Sequence, residues 1–166
     1  MISVIIATRY RIHQPLVCLA SLGRSIYRQF EVILADQNDA PITIPHSVIS
    51  SIPSFVHVHV PQGGKSRALN TGITKAGGDI IAFTDDDCII DRRWLKTIAT
   101  FFPSHTYIDG MFGKTVPFKP TQHPRLLCPS VFVRPRYAEH HKPKEHWKYI
   151  GLGNNMAFRS SVFQKY

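Results

Sequence analysis

The stretch GGDIIAFTDDD, residues 77–87, governs the interpretation of the whole chain. Gly77 and Gly78 are typical of the end of a helix, and the short apolar run after them is typical of a strand buried on both faces. The adjacent acids Asp85, Asp86 and Asp87 close that run. Because adjacent carboxylates repel one another, the stretch predicts a strand end that holds a cation or faces solvent.

Strands and helices alternate on both sides of this stretch. Buried strands are predicted at 3–7, 31–36 and 79–85 and a half-exposed strand at 55–60, with helices at 15–27, 65–76 and 91–102. Pro15 is expected at the first position of its helix, and Asp91 is expected as an N-cap. A strand, a helix and a strand within about 35 residues form the unit that builds a parallel sheet. The expected fold class is therefore α/β, with a mostly parallel sheet and flanking helices.

The last third of the chain has a different character. Six of the twelve prolines fall between residues 117 and 143, which predicts a loop-rich insert. Residues 155–163, NMAFRSSVF, then predict a strand that turns into a helix. A length of 166 residues and 43% apolar content favour a single domain with an ordinary core.

Composition narrows the class of partner and the cellular setting. The net charge of +9 suits nucleic acid, a phosphorylated metabolite or an acidic membrane surface. The three cysteines are widely spaced and lack a CxxC pair, which favours neither a zinc site nor a disulfide framework and fits a reducing cytoplasm. No segment approaches the roughly 20 apolar residues of a spanning helix, so a soluble or surface-attached protein is expected.

Several familiar motifs are disfavoured. GGKS at 63–66 lacks the earlier glycine of a phosphate-binding P-loop, since His59 stands there, and no GxGxxG follows the first strand. The stretch AEHHKPKEHW at 138–147 matches no helical metal pattern, because Pro143 interrupts it. Residues 119–148 carry seven Lys or Arg against two acids, which predicts a basic loop facing an acceptor or a membrane, or a solvated loop.

The three acids point to a specific kind of site. In an extended backbone residues i and i+2 share a side, so Asp85 and Asp87 are expected to converge while Asp86 faces the opposite way. The carboxyl ends of the strands of open α/β sheets face the ligand crevice. A carboxylate pair there suits Mg²⁺ or Mn²⁺, whereas the plain alternative is a solvated acidic turn.

The order of four segments, VIIATRYR, FEVILADQND, GGKSRALNTGITKAGGDIIAFTDDDCIIDRRWL and GLGNNMAFRSSVF, resembles the inverting family 2 glycosyltransferases. The resemblance is close over 1–115, weak over 116–149, and returns at 151–163. It implies a GT-A fold, the Rossmann-like fold of nucleotide-diphospho-sugar transferases, in one domain over 1–166. Residues 1–103 are the expected nucleotide-sugar half and 104–166 a partial acceptor side.

The resemblance also implies an activity and its residues. The expected reaction moves a sugar from a nucleoside diphosphate sugar, a UDP-sugar above others, to the hydroxyl of a sugar or lipid-linked acceptor in polysaccharide or glycolipid synthesis. The implied donor-binding residues are Thr8, Arg9, Asp36, Lys65, Arg67, Asn70, Asp85 and Asp86. The implied ligands of Mg²⁺ or Mn²⁺ are Asp85 and Asp87, and the implied acceptor-side residues are Trp94, Asn154 and Asn155. Arg67 as a surface residue, Trp94 in the core and Asn155 in a turn are the structural alternatives.

The sequence departs from the family pattern in places. Gln37 follows Asp36 where a second acid is common, Ala7 and Tyr10 replace a usual proline and asparagine, and the expected catalytic base lies beyond Tyr166. The C-terminal part is therefore expected to be incomplete. A non-catalytic nucleotide-sugar-binding fragment stays open, as does a basic module for nucleic acid or a membrane surface; the lack of a nucleic-acid motif makes nucleic acid the least expected partner.

Overall fold

A computed structural model of the chain describes residues 1–117 and 153–164. Most of the predicted loop-rich insert, with its basic and histidine-rich stretches, lies outside the described residues. Among those described, no helix has the length and apolar character needed to cross a membrane.

Six strands form one mixed sheet, in the order β3-β2-β1-β4-β6-β5. The first four strands along the chain are mutually parallel, and β6 runs antiparallel to both β4 and β5. This arrangement confirms the predicted α/β fold with a mostly parallel sheet. The strands are β1 (Ile2–Thr8), β2 (Phe30–Asp36), β3 (Phe55–His59), β4 (Ile80–Asp85), β5 (Gly110–Phe112) and β6 (Asn155–Arg159).

Helices cover both faces of the sheet. Val4 and Ile6 of β1 pack into a core cluster with Leu19 of α1 and Leu95 of α4, whereas Ile5 belongs to a second cluster that α3 covers. This alternation along β1 explains why its sequence is continuously apolar, since both faces are buried. The helices are α1 (His13–Gly23), α2 (His46–Ile49), α3 (Lys65–Lys75) and α4 (Trp94–Ser104), and a 3-10 helix spans Ser160–Gln164.

Two predicted helix starts are wrong. Helix α1 begins at His13, so Pro15 is its third residue, and it ends at Gly23, well before the predicted end at 27. Helix α4 begins three residues after Asp91. Asp91 instead forms the turn before the helix, where its carboxylate accepts a hydrogen bond from the Arg93 amide at 2.7 Å. Pro15 lies inside the first turn of α1 and Asp91 lies just before α4, and each restricts the backbone there. The two residues therefore mark the helix starts to within three residues.

The carboxyl ends of the central strands meet at one edge of the sheet. Thr8 at the end of β1 is paired in register with Asp36 at the end of β2, and Ala7 is paired with Asp85 at the end of β4. The antiparallel strand β6 begins at the same edge, because Asn155 is paired with Thr84. Chain segments that are distant in sequence therefore converge at this edge, where the topology of open α/β sheets places a ligand.

The close approach of α3 to the sheet depends on Gly72. A Cβ at this position would lie 2.5 Å from Cγ2 of Ile5, whose side chain is fully buried. We expect Gly72→Ala to lower the free energy of unfolding by about 1–2 kcal/mol, because the overpacking outweighs the better helix propensity of alanine. Urea unfolding measures the change. The exposed position Thr74 in the same helix is the control, and a Thr74→Ala change as large as that of Gly72→Ala would contradict the packing explanation.

Candidate functional site

A pocket of about 310 Å³ lies at the carboxyl edge of the sheet. Its walls come from the turn after β1, the residue after β2, the start of α3 and the end of β4. Three of its side chains are cationic and three are carboxylates. The lining residues are Ala7, Thr8, Arg9, Arg11, Gln37, Gly64, Lys65, Asp85, Asp86 and Asp87.

The three acids do not lie along an extended strand. Strand β4 ends at Asp85, and a turn follows in which the Cys88 amide donates to the Asp85 carbonyl at 3.2 Å. Asp86 is buried and accepts a hydrogen bond from the Thr8 hydroxyl at 2.7 Å. The prediction that Asp86 faces away from its neighbours is therefore wrong, because the turn breaks the alternation that a strand imposes. All three carboxylates face one pocket.

Two cations offset the repulsion within this acidic turn. The ammonium of Lys65 lies 2.5 Å from Oδ1 of Asp85. A single guanidinium nitrogen of Arg11 lies 2.8 Å from Oδ1 of Asp86 and 2.7 Å from Oδ2 of Asp87. The hydrogen bond to Asp87 and the charges of both carboxylates raise the pKa of Arg11. The turn thus carries three negative charges against two bound positive ones.

The pocket floor depends on a buried glutamine. Gln37 donates from its side-chain amide to the carbonyls of Gln62 and Gly64, at 3.0 and 3.1 Å. Both glycines of this loop fit its geometry. Gly64 has φ of +123°, a conformation that favours glycine. A Cβ at Gly63 would lie 2.9 Å from a guanidinium nitrogen of Arg9. Gln37 thereby fixes the loop that leads into α3 and presents Lys65 to the pocket.

Asp36 lies beneath the site and is wholly buried. Its Oδ1 accepts from the backbone and side-chain amides of Asn38, and its Oδ2 lies 2.7 Å from the Ile42 amide and 2.9 Å from Nε2 of His57. Burial acts to raise the pKa of Asp36, but the hydrogen bonds from Asn38, Ile42 and His57 together lower it. The structure therefore gives Asp36 the role of organising residues 38–42, not of lining the pocket.

Tyr10 holds a left-handed backbone conformation in the turn after β1, with φ of +56°. Its amide donates to Oδ1 of Asn38 at 2.6 Å, which links this turn to the segment that Asp36 organises. The guanidinium of Arg9 lies 4.6 Å above the centre of the Tyr10 ring. Asparagine tolerates the left-handed conformation better than tyrosine does, so Tyr10 is a strained choice at this position of the turn.

Three predicted donor residues lie outside the pocket lining: the buried Asp36, and Arg67 and Asn70. Arg67 and Asn70 are on the exposed face of α3, and Arg67 donates to the side chain of Gln62 at 3.2 Å. Their predicted contact with the donor stays a prediction. One pocket is lined by Thr8, Arg9, Lys65, Asp85, Asp86 and Asp87, and their predicted roles toward the donor and the metal stay predictions.

The predicted acceptor-side residues form a neighbouring cluster. The indole N–H of Trp94 donates to Oδ1 of Asn155 at 2.8 Å, and Asn155 donates to the Lys114 carbonyl at 2.8 Å. The hydroxyl of Thr115 donates to Oδ1 of Asn154 at 3.2 Å. Because Asn155 is paired with Thr84, this cluster lies beside the strand end that carries Asp85.

The sequence analysis did not predict two of the residues that line the pocket, Arg11 and Gln37. Arg11 is separated from the acids by about 75 positions, and no local pattern connects them. Charge was the signal that could have indicated Arg11, because three adjacent acids need nearby cations. The turn after β1 supplies two arginines, Arg9 and Arg11. Gln37 was noted only as a departure from the family pattern, and its function in fixing residues 62–64 required the fold.

The mixed, mostly parallel sheet with flanking helices is consistent with the GT-A fold, the Rossmann-like fold of nucleotide-diphospho-sugar transferases. A family model described as glycosyl transferase family 2 matches residues 3–166, and the chain belongs to this family. Among curated proteins no sequence match is found.

Solved structures share the fold. Residues 1–349 of TarS from S. aureus match with a TM-score of 0.74 at 19% identity, over 99% of this chain and 48% of that one. The same TarS fragment in complex with UDP-GlcNAc matches with a TM-score of 0.66 at 19% identity, over 99% and 46% of the two chains. The mannosyltransferase PcManGT from Pyrobaculum calidifontis, in complex with GDP-Man and Mn²⁺, matches with a TM-score of 0.62 at 17% identity, over 99% and 46%. The chain therefore spans about half the length of these relatives.

The buried Asp36 carboxylate predicts a pH-dependent contribution to stability. Its pKa in the folded protein is below its usual value of 3.8, so its stabilisation is complete well above pH 3.8 and is lost as the pH falls through the lower folded pKa. We expect Asp36→Asn to lower the free energy of unfolding by about 2 kcal/mol at pH 7. The difference from wild type should shrink below about pH 4. Urea unfolding at pH 7, 5 and 3.5 measures it, and a difference that is constant with pH would contradict the assignment.

The left-handed backbone of Tyr10 predicts that asparagine is more stable than alanine at this position. Tyr10→Asn and Tyr10→Ala both remove the ring, but only asparagine relieves the backbone conformation. We expect the asparagine variant to exceed the alanine variant by about 1 kcal/mol in free energy of unfolding. Equal stability of the two variants would show that the turn carries no such strain.

Proposed function

We propose that this chain binds a nucleoside diphosphate sugar with a divalent metal ion and transfers the sugar, with inversion, to an acceptor hydroxyl in polysaccharide or glycolipid synthesis. The observation that carries this proposal is the meeting of three cations and three carboxylates in one pocket at the carboxyl edge of the sheet. Membership in glycosyl transferase family 2 supports the reaction class. The two similar structures contain UDP-GlcNAc and GDP-Man, so relatives of this fold differ in nucleotide base and sugar. For this chain we expect a UDP-sugar, and the titration below compares the bases.

The pocket suits a diphosphate. Arg9, Arg11 and Lys65 supply three cationic side chains, and charge-assisted hydrogen bonds to phosphate oxygens are among the strongest in proteins. Gly64 and Lys65 stand at the N-terminus of α3, whose unpaired amides and dipole add favourable potential for an anion. These groups would hold the diphosphate and stabilise the negative charge that grows on it as the glycosidic bond breaks.

The donor set fits a hard divalent cation. Asp85 and Asp87 present carboxylate oxygens, the ligands that Mg²⁺ and Mn²⁺ prefer, in an open pocket where phosphate oxygens can complete the shell. Among the described residues no group of three or more His, Cys, Asp and Glu side chains is arranged to hold a metal by itself. A site shared between these two carboxylates and the nucleotide is consistent with both observations. When bound, the ion would act as a Lewis acid on the leaving diphosphate.

The remaining residues have positioning roles in this proposal. Thr8 holds Asp86, which in turn holds Arg11, so the acidic turn is fixed from beneath. Trp94, Asn154 and Asn155 border the acceptor side next to Asp85. The net charge of +9 suits an acceptor that carries phosphate, such as a lipid-linked sugar, or an anionic membrane surface at the cytoplasmic side.

No catalytic base is assigned to a described residue. Asp109 follows Asp91 as the next acid in the described part of the chain, and its carbonyl accepts from the Arg159 amide. Arg159 is paired with Ile80, at the amino end of β4, so Asp109 lies at the opposite edge of the sheet from Asp85. Its position excludes it from proton abstraction in this pocket.

Calorimetric titration with UDP, GDP and dTDP, with and without Mn²⁺, tests the donor site. We expect metal-dependent binding of one nucleotide, weakened by about tenfold or more in the Asp85→Asn, Asp87→Asn variant because charged hydrogen bonds and metal ligands are lost. The exposed Asp79, which pairs with the N-terminal amine at the other end of β4, is the matched control. Asp79→Asn should bind as wild type does, and equal weakening in both variants, or no binding by the folded protein, would refute the proposal.

A further inference from the structure

Arg11 occupies the carboxylate that a metal ion in the proposed donor site would need. Its guanidinium nitrogen lies 2.7 Å from Oδ2 of Asp87, which is half-exposed, while the same nitrogen lies 2.8 Å from the buried Asp86. The two acids differ in their surroundings. Asp86 has a second partner in Thr8, whereas Arg11 is the partner that the structure gives to Asp87 within the described part of the chain.

A divalent cation and this guanidinium oppose one another at the Asp87 carboxylate, because both are positive and Arg11 already occupies Oδ2. We infer that Arg11 competes with the metal ion for Asp87 and that nucleotide binding releases the carboxylate by giving Arg11 a phosphate acceptor. This inference rests on the proposed function for its nucleotide step. The competition between Arg11 and a metal ion stands on the geometry alone.

The build of the pocket allows this exchange. Arg11 is 44% exposed and comes from the same turn that lines the pocket with Arg9, so its guanidinium can turn toward an anion without moving a strand. Arginine has five N–H donors in a planar fork, and the structure shows one of its nitrogens engaged with the acidic turn. A phosphate matches the unused side of this fork.

Coupling between metal and nucleotide follows. In the free protein the metal must displace Arg11 from Oδ2 of Asp87 or bind against its charge, so we expect metal alone to bind more weakly. With a diphosphate present Arg11 has a new partner and Asp87 is available, so each ligand strengthens the binding of the other by the same factor. Arg11 is thus a positioning residue that makes the metal site depend on an occupied donor site.

Binding of Mn²⁺ alone, measured from the electron paramagnetic resonance signal of the free ion, tests the inference. We expect Arg11→Met to bind Mn²⁺ about tenfold more tightly than wild type, a gain of affinity on removal of a side chain. Arg11→Gln is the second variant, and it keeps a polar group without the charge. Circular dichroism and thermal melting establish that both variants are folded.

Arg9→Met is the matched control for charge. It removes one positive charge from the same turn, but the contact that the structure shows for the Arg9 guanidinium is with Tyr10 and not with a carboxylate. Its Mn²⁺ affinity should change much less than that of Arg11→Met. Equal gains in the two variants would reduce the effect to long-range charge, and unchanged or weaker Mn²⁺ binding in both Arg11 variants would overturn the competition.

The same titrations with UDP and GDP separate the two proposals. Wild type should bind Mn²⁺ more tightly with nucleotide, and the gain should be smaller in Arg11→Met. If the Arg11 variants bind Mn²⁺ more tightly but no nucleotide strengthens it in wild type, the competition holds and the proposed donor function fails. If nucleotide strengthens Mn²⁺ binding equally in wild type and Arg11→Met, the donor function holds and the role of Arg11 is wrong.

Discussion

Repulsion among the carboxylates of Asp85, Asp86 and Asp87 is the constraint on which the site depends. Three negative charges at the end of a buried strand require compensation. The chain supplies it from two distant segments, with Arg11 from the turn after β1 and Lys65 from the start of α3. The strand register places these segments at one edge of the sheet, and the compensation of charge then links them to one another.

A second constraint is the buried carboxylate of Asp36. Its carboxylate contacts two amide groups of Asn38, the Ile42 amide and the ring of His57 in β3. The side chain of Asn38 in turn accepts a hydrogen bond from the Tyr10 amide. The turn after β1 is thus fixed from two sides, by Asp36 through Asn38 and by Asp86 through Thr8. Rigid support of this kind holds the backbone of this turn in a defined position beside the pocket, while the exposed side chain of Arg11 can still turn.

The sequence predicted the parallel part of the fold well. The continuous apolar runs of β1, β2 and β4 and the glycine pair after α3 are local signals, and each lies where the structure has the element. Helix ends were harder, because Pro15 and Asp91 restrict the backbone over several neighbouring positions. The orientation of Asp86 was wrong for a related reason, since the strand ends one residue before it and alternation no longer applies.

Pairings across long separations were beyond the sequence. The contact of Arg11 with Asp87 spans 76 positions, and that of Trp94 with Asn155 spans 61. Nothing in the spacing of these residues indicates them, whereas the register of β1, β4 and β6 makes them neighbours. The resemblance to a family supplied part of this information for Trp94 and Asn155 and none of it for Arg11.

The change of strand direction at β4 has a consequence for how the two sides of the site can vary. On its parallel side β4 adjoins β1, whose following turn lines the pocket with Arg9 and Arg11, and on its antiparallel side it adjoins β6, which brings Asn155. Strand β5 ends at Phe112 and strand β6 begins at Asn155, both on the antiparallel side of β4. A change in length or composition between these two strands can leave the register of β1, β2 and β4 beneath the pocket unchanged, so the two sides of the site are structurally independent in this respect.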